Sequence, residues 1–182
     1  MALAALRGDE ARALALIETS VQTASLRGEG SRLAAAEWAK AILSNGLGRH
    51  RDALTAAQRA TEDHLELVYP NWALAEVIEA AARTGASEAA AAAYLRLAEM
   101  TEATRTNWAL GIDARSHALL IDDDVADDLY RESIDRLGHT RFRLELARAH
   151  LLYGEYLRRE RRRAESRDQL RTALEMFTSM GI

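Results

Sequence analysis

The 182-residue chain contains no cysteine and only one proline. Without cysteine it can form neither disulfides nor thiolate metal sites, and a reducing compartment is the default, so we expect a cytoplasmic protein. A single proline leaves long helices unbroken, because proline removes a backbone donor and clashes with the preceding turn. β-branched residues are sparse, and no segment shows a convincing strand pattern.

Long apolar runs are missing as well. None approaches the ~20 residues that cross a bilayer, so no membrane partner is expected. The first seven residues are too short and lack the basic leader of a signal peptide, and they are predicted to be the end of a truncated helix. The net charge of −4 is uneven, because residues 139–182 carry ten arginines against six acidic residues.

Alanine is abundant, and 48 % of the residues are hydrophobic, a composition that favours helix. Turn residues bracket nine predicted helices, one alone and eight in pairs: 9–27, 31–45, 49–66, 70–83, 87–101, 106–121, 124–137, 140–159 and 162–179. Their ends are predicted from N-caps at Asp9, Ser31 and Ser87, a left-handed stop at Asn45-Gly46, and Pro70 in a first turn.

Three tryptophans recur at a nearly fixed interval. Trp38, Trp72 and Trp108 are 34 and 36 positions apart, and the last two begin the same run, Trp-Ala-Leu, each preceded by Asn. A ~34-residue period in a helical sequence is typical of tetratricopeptide repeats, which are stacked helix–turn–helix units. We therefore predict one all-α domain over residues 1–182, a right-handed superhelix of tetratricopeptide-like repeats. The alternative is an ordinary α-helical bundle with accidental spacing.

A stripe of small and larger residues supports the repeat. It runs along the lone helix and the second helix of each pair, at offsets of four and three residues. Its first position is Ala13, Ala53, Ala90, Ala126 and Ser166; its second is Ile17, Ala57, Tyr94, Tyr130 and Leu170; its third is Ser20, Ala60, Leu97, Ser133 and Ala173. Small residues let two helices approach closely while a larger side chain fills the gap, so the stripe predicts close helix–helix contacts.

The C-terminal sequence is distinctive. Leu146–Arg163 (LARAHLLYGEYLRRERRR), with residues 164–181, resembles the final repeats of the large ATP-binding LuxR-type transcriptional regulators, the family of the maltose-regulon activator. Three earlier stretches fit the same region of that family: Asn45–Arg49, Trp72–Glu76 and Trp108–Ile112. The resemblance covers nearly the whole chain.

The resemblance implies an excised sensor and oligomerisation segment, because in that family a P-loop ATPase precedes the repeats and a helix-turn-helix follows them. This sequence contains neither a G-x-x-x-x-G-K-[ST] motif nor a helix-turn-helix signature. Its implied partners are other domains of the parent regulator and a small-molecule inducer, which would shift an inactive monomer toward an assembled state. A solenoid without polar caps exposes apolar ends, so a homodimer through a terminal helix is expected.

The predicted ligand site is the concave wall lined by the first helix of each pair. Its aromatic members are Trp38, Trp72 and Trp108, and its polar members are Glu79, Arg115, Arg148 and Glu155. Indoles suit a sugar or another flat, partly apolar ligand, and the polar residues would supply hydrogen bonds. The alternatives are that the indoles pack between repeats and that the polar residues form a solvated face.

Two charged runs and the histidines complete the candidates. Residues 122–128 contain D-D-x-x-D, which holds Mg²⁺ in all-α isoprenoid enzymes, but acidic residues are also expected at a helix N-terminus. The basic run Arg158, Arg159, Arg161, Arg162 and Arg163 is interleaved with acids and lacks aromatics, so it is predicted to contact a neighbouring domain or subunit and not nucleic acid. The five scattered histidines lack zinc-site spacing.

No catalytic constellation is found, so we predict a non-enzyme without metal or cofactor. The leading hypothesis is a sensor segment of a LuxR-type regulator. The runner-up is a generic tetratricopeptide adaptor that binds a partner's peptide, and a small all-α isoprenoid enzyme remains a third class through the aspartate run alone.

Overall fold

The computed structural model describes residues 1–62, 68–121 and 124–182, and every regular element in them is an α-helix. In chain order these are α1 (Ala2–Leu6), α2 (Glu10–Arg27), α3 (Gly30–Gly46), α4 (His50–Ala60), α5 (Tyr69–Thr84), α6 (Ser87–Thr104), α7 (Asn107–Ala118), α8 (Asp124–Gly138), α9 (Arg143–Arg159) and α10 (Arg163–Ser179). The all-α prediction is confirmed for this part of the chain, with helices packed as sequence-adjacent pairs. The right-handed superhelix stays a prediction.

The chain divides into two compact units, Met1–Leu97 and Ala98–Ile182, and the division falls within α6. In the first unit, α3 is central: it packs against α1, α2, α4 and α5. In the second unit, α7 packs on α8, α8 on α9 and α9 on α10, and α7 also touches α9. The first helices of successive pairs, α3 with α5 and α7 with α9, are therefore neighbours within each unit.

Several helix ends lie where local chemistry predicts them. The Asp9 carboxylate accepts a hydrogen bond from the Arg12 amide at 3.3 Å and caps α2. Pro70 lies in the first turn of α5, and Gly85 ends that helix in the left-handed conformation at φ 73°. These ends are fixed by residues inside or next to the helix, which is why sequence reasoning finds them.

Two predicted N-caps are wrong. Ser31 and Ser87 are not N-caps, because α3 already begins at Gly30, after Glu29, and Ser87 is itself the first residue of α6. α3 ends at Gly46, as the Asn45-Gly46 dipeptide predicts, but the left-handed residue of this turn is Gly48, at φ 72°.

α4 ends at Ala60, short of the predicted residue 66, and residues 63–67 lie outside the described residues. A tenth helix, α1, also appears where the end of a truncated helix was predicted. It is a separate helix because Gly8, at φ 67°, interrupts the helical backbone between α1 and α2.

The small positions of the predicted stripe are buried except for Ser20, which is partly buried. Its first position is at most 3 % exposed in every repeat. Two of its serines donate hydrogen bonds to glycine carbonyls on the paired helix, Ser133 to Gly111 at 2.7 Å and Ser166 to Gly154 at 2.8 Å. The predicted close helix–helix contacts are thus present in both pairs of the second unit.

Candidate functional site

An aromatic cluster joins α3 to α5 in the first unit. Trp38 on α3 meets two rings from α5: its centroid is 5.2 Å from that of Trp72 and 5.9 Å from that of Tyr69. Tyr69 and Trp72 contact each other edge to face, also at 5.9 Å. We call these three residues the α3–α5 cluster. Tilted and edge-to-face contacts are the arrangements that aromatic quadrupoles favour.

Exposure differs among the three rings. Trp38 is partly buried and packs against the core formed by Ala4, Ala5, Ala13, Ile42 and Leu43. Trp72 is 44 % exposed, which leaves one side of its indole open to solvent. The packing interpretation therefore fits Trp38 best, and the ligand-site interpretation fits Trp72 best.

Two buried polar atoms on consecutive residues of α3 lack hydrogen-bond partners among the described residues. One is the Trp38 indole nitrogen, a donor, and the other is the Glu37 Oε2 atom, an acceptor. The other Glu37 oxygen lies 4.0 Å from the Arg59 guanidinium, the limit for an ion pair. Since a buried polar atom without a partner is costly, this donor and acceptor have unused capacity for a ligand.

The second unit holds a matching pair on α7 and α9. Trp108, the second residue of α7, is partly buried, and its ring centroid lies 5.4 Å from that of Phe142. Phe142 is the N-cap residue of α9 and is 54 % exposed. We call these two residues the α7–α9 pair.

The two aromatic sites have the same spacing along the chain, and only part of this regularity is predicted from the tryptophans. Phe142 follows Trp108 by 34 positions, the same interval that separates Trp38 from Trp72. In each unit a partly buried tryptophan on one first helix is thus covered by a half-exposed aromatic residue from the next. The sequence analysis missed Phe142 because it followed tryptophan identity; a search for any aromatic at the period finds it. Tyr69 lies off the period and has no such signal.

Two of the polar candidates are buried within the protein. Arg115 is 2 % exposed; its guanidinium contacts the Glu145 carboxylate at 2.7 Å and donates to the Glu145 carbonyl at 3.2 Å, which ties α7 to α9. Glu79 is 8 % exposed and pairs with Arg83 one turn later. Neither side chain has the free surface that a ligand contact requires, so we remove both from the ligand site.

The remaining polar candidates, Arg148 and Glu155, are half-buried on α9, and neither is without a partner. They lie with Trp108 in the second unit, whereas Trp38, Trp72 and Glu79 belong to the first. The structure therefore supports two separate local aromatic sites, each described within its own unit.

An ion network links α8, α9 and α10 in the second unit. The Asp127 carboxylate accepts hydrogen bonds from Arg131 at 2.7 Å, from the Tyr153 hydroxyl at 2.7 Å and from Arg162 at 2.6 Å. Burial acts to raise the pKa of Asp127, but these three donors outweigh it, and the pKa lies below its usual value. Burial, the hydrogen bond to Asp127 and its charge raise the pKa of Tyr153 to about 12. The network has the character of a structural clamp.

The described residues offer no group of three or more His, Asp or Glu side chains that could hold a metal ion. Of the predicted aspartate run, Asp122 and Asp123 lie outside the described residues, and Asp127 is taken up by the ion network. None of the helices in the described ranges combines the length and apolarity needed to cross a membrane.

Comparisons with known proteins add no relatives: no family model, curated protein or solved structure matches the sequence. The aromatic sites themselves are therefore the best basis for a function.

Proposed function

We propose that the chain is a non-enzymatic, helical-repeat sensor segment of a LuxR-type transcriptional regulator, and that its ligand docks on the α3–α5 cluster. The observation that carries the proposal is the half-exposed Trp72 packed against Trp38, whose buried indole N–H has no hydrogen-bond partner among the described residues. The period and the paired helices support a right-handed superhelix of tetratricopeptide-like repeats as its architecture.

The chemistry of the cluster favours a small, flat ligand with hydroxyl groups, such as a sugar. An exposed indole face stacks on the apolar face of a pyranose ring, and hydroxyls both donate and accept hydrogen bonds. A ligand hydroxyl would accept a hydrogen bond from the Trp38 N–H. Because this N–H is buried, binding requires the cluster to open, which would change the environment of two indoles.

Tryptophan fluorescence tests the proposal directly. We expect titration with a panel of neutral mono- and oligosaccharides to quench or shift the emission, and calorimetry to give the same affinity. Trp72→Ala should abolish the response. Trp38→Phe keeps a ring but loses the N–H donor, so it should weaken affinity about tenfold, as the loss of one hydrogen bond does.

The matched control is Leu26→Ala, which removes another exposed apolar side chain of the first unit, 90 % exposed, and should leave the titration unchanged. A panel that gives no heat and no fluorescence change would remove the sugar-sensor proposal. If Trp72→Ala instead unfolds the protein with a loss of about 3–5 kcal/mol, its indole is a packing residue.

The second candidate is a generic tetratricopeptide adaptor for a partner's peptide. The observation that favours it is the exposure of Phe142, since exposed aromatic residues also anchor peptides. Binding that is weakened by Phe142→Ala but not by Trp72→Ala, with a peptide and not a sugar as ligand, would select the adaptor.

Self-association belongs to the same proposal. Exposed leucines lie on helices near both ends of the chain, Leu14 and Leu16 on α2 and Leu174, 65 % exposed, on α10. We propose a homodimer through one of these faces, because burying such side chains removes apolar surface from water. Light scattering should give a dimer, and Leu174→Glu or Leu14→Glu should identify the face; a monomer at high concentration would contradict it.

A further inference from the structure

The turn between α9 and α10 concentrates exposed, unpaired arginines. Residues 158–167 hold six arginines and two glutamates. Arg162 is bound to Asp127 and Glu165, but the other five side chains are exposed and have no ion-pair or hydrogen-bond partner among the residues that the structure describes: Arg158, Arg159, Arg161, Arg163 and Arg167. We call these five residues the arginine turn.

Two of these arginines occupy positions that local energetics disfavour. Arg161 has φ 61°, in the left-handed region where glycine is preferred, and glycine fills the left-handed position after α2 and α5. Arg163 is the first residue of α10, in the turn where the helix dipole favours acidic residues and disfavours cations. Only Arg158 and Arg159, at the end of α9, have a favourable local role. A cluster kept against local preference points to a function.

We propose that the arginine turn is a docking surface for a carboxylate-rich segment of another protein. Guanidinium groups bind carboxylates through paired, charge-assisted hydrogen bonds, and five unpaired groups in ten residues offer several at once. The acidic side chains Glu165 and Asp168 are already held by Arg162 and Arg171, so among the described residues 158–171 Glu160 is the one acidic side chain left to offset the charge of the five arginines.

A carboxylate-rich chain fits this turn better than nucleic acid does. Glu160 is exposed in the middle of the cluster and would repel a continuous phosphate backbone, whereas a peptide can place its carboxylates on either side of it. No aromatic residue occurs between residues 158 and 171 to stack on bases. This inference does not depend on the ligand proposed for the α3–α5 cluster.

The test uses the full chain and a fluorescein-labelled peptide of alternating glutamate and glycine, with fluorescence anisotropy as the readout. Binding should weaken as salt rises, and the triple variant Arg161→Gln, Arg163→Gln, Arg167→Gln should lose roughly tenfold in affinity, as the loss of three partly exposed ion pairs does. The control makes the same charge change at exposed arginines elsewhere: Arg12→Gln, Arg51→Gln, Arg96→Gln.

Arg161→Gly separates a binding role from a structural one. Glycine adopts the left-handed conformation without strain, so this variant should be more heat-stable than the native protein and yet bind the peptide more weakly. Three results would overturn the proposal: no peptide binding by the native chain, equal losses in the control triple, or tighter binding of duplex DNA than of the peptide through the same arginines.

Discussion

Gly111→Ala inverts the usual effect of replacing a helical glycine. Alanine normally stabilises a helix interior by up to about 1 kcal/mol over glycine. Here a Cβ atom at residue 111 would lie 2.6 Å from Leu137 Cγ and 3.0 Å from its Cδ2, closer than two carbons can approach. α7 and α8 must therefore separate, or Leu137 must leave its rotamer.

The expected cost follows from the same contacts. Overpacking of this kind costs about 1–3 kcal/mol. Separation of the helices also stretches the buried hydrogen bond, 2.7 Å long, that Ser133 donates to the Gly111 carbonyl, and this weakening costs about 1 kcal/mol more in stability. After the gain in helix propensity, the net loss should be about 1–3 kcal/mol. Gly154→Ala should behave alike, since its Cβ would meet Leu170 Cγ at 2.7 Å.

Urea unfolding followed by circular dichroism measures this loss. The controls are Gly46→Ala and Gly138→Ala, also helical positions, where a new Cβ has no atom within 4 Å and should be neutral or stabilising. Leu137→Ala is itself destabilising because Leu137 is fully buried, but in that background Gly111→Ala should cost less than in the native protein, since the clashing atoms are gone. If Gly111→Ala is as stable as the native protein, the close contact between α7 and α8 is not rigid and the reasoning fails.

Three further variants probe the polar contacts. Asp127→Asn should lower the free energy of unfolding by about 1 kcal/mol at pH 7, because it weakens the ion network. Since the pKa of Asp127 is lowered, the native protein should be the more stable of the two above about pH 4, and the difference should disappear as Asp127 is protonated at lower pH. Thermal melts at several pH values measure this difference. The native protein should lose stability as the pH rises from 10, the usual pKa of tyrosine, to about 12, the raised pKa of Tyr153, and Tyr153→Phe should abolish this loss. Asn45→Ala should cost about 1–3 kcal/mol in urea unfolding, because it removes the donor 2.9 Å from the buried Glu76 carboxylate; a change near zero would show that water replaces it.

The helices themselves were predictable because local signals set most of their ends. The Asn45-Gly46 dipeptide shows where such signals are incomplete: α3 does end at Gly46, but the left-handed residue is Gly48, and the Asn45 amide donates to Glu76, 31 positions away. Gly111 and Gly154 show the same limit, since a helical glycine looks unfavourable until the partner helix is in place.

The sequence predicts only those members of the candidate site that follow the repeat period. The repeat correctly placed Trp38 and Trp72 on neighbouring first helices, which lie in contact. It also placed Arg115 on the same helix face as the ligand wall, but helical periodicity does not tell whether another element covers that face. Glu145, from α9, covers that face, so Arg115 forms a buried ion pair although its position in the helical period is the one predicted for the ligand wall. Burial is a tertiary property, and one sequence holds no direct record of it.

The equal spacing of the two aromatic sites connects the fold with the proposed function. If aromatic residues served only to pack one repeat on the next, both members of each pair would be driven toward full burial, since burying an aromatic ring is strongly favourable. Instead Trp72 and Phe142, the later member of each pair, stay about half-exposed while the earlier member is partly buried. An aromatic ring that packs against another ring on one side and is exposed to solvent on the other suits a stacking surface. The same 34-position spacing between the two rings occurs in both units, which argues against coincidence. The decisive comparison is therefore between Trp72→Leu and Trp72→Phe: both keep apolar bulk over Trp38, but only phenylalanine keeps a flat face, so only the leucine variant should lose the ligand response while both remain folded.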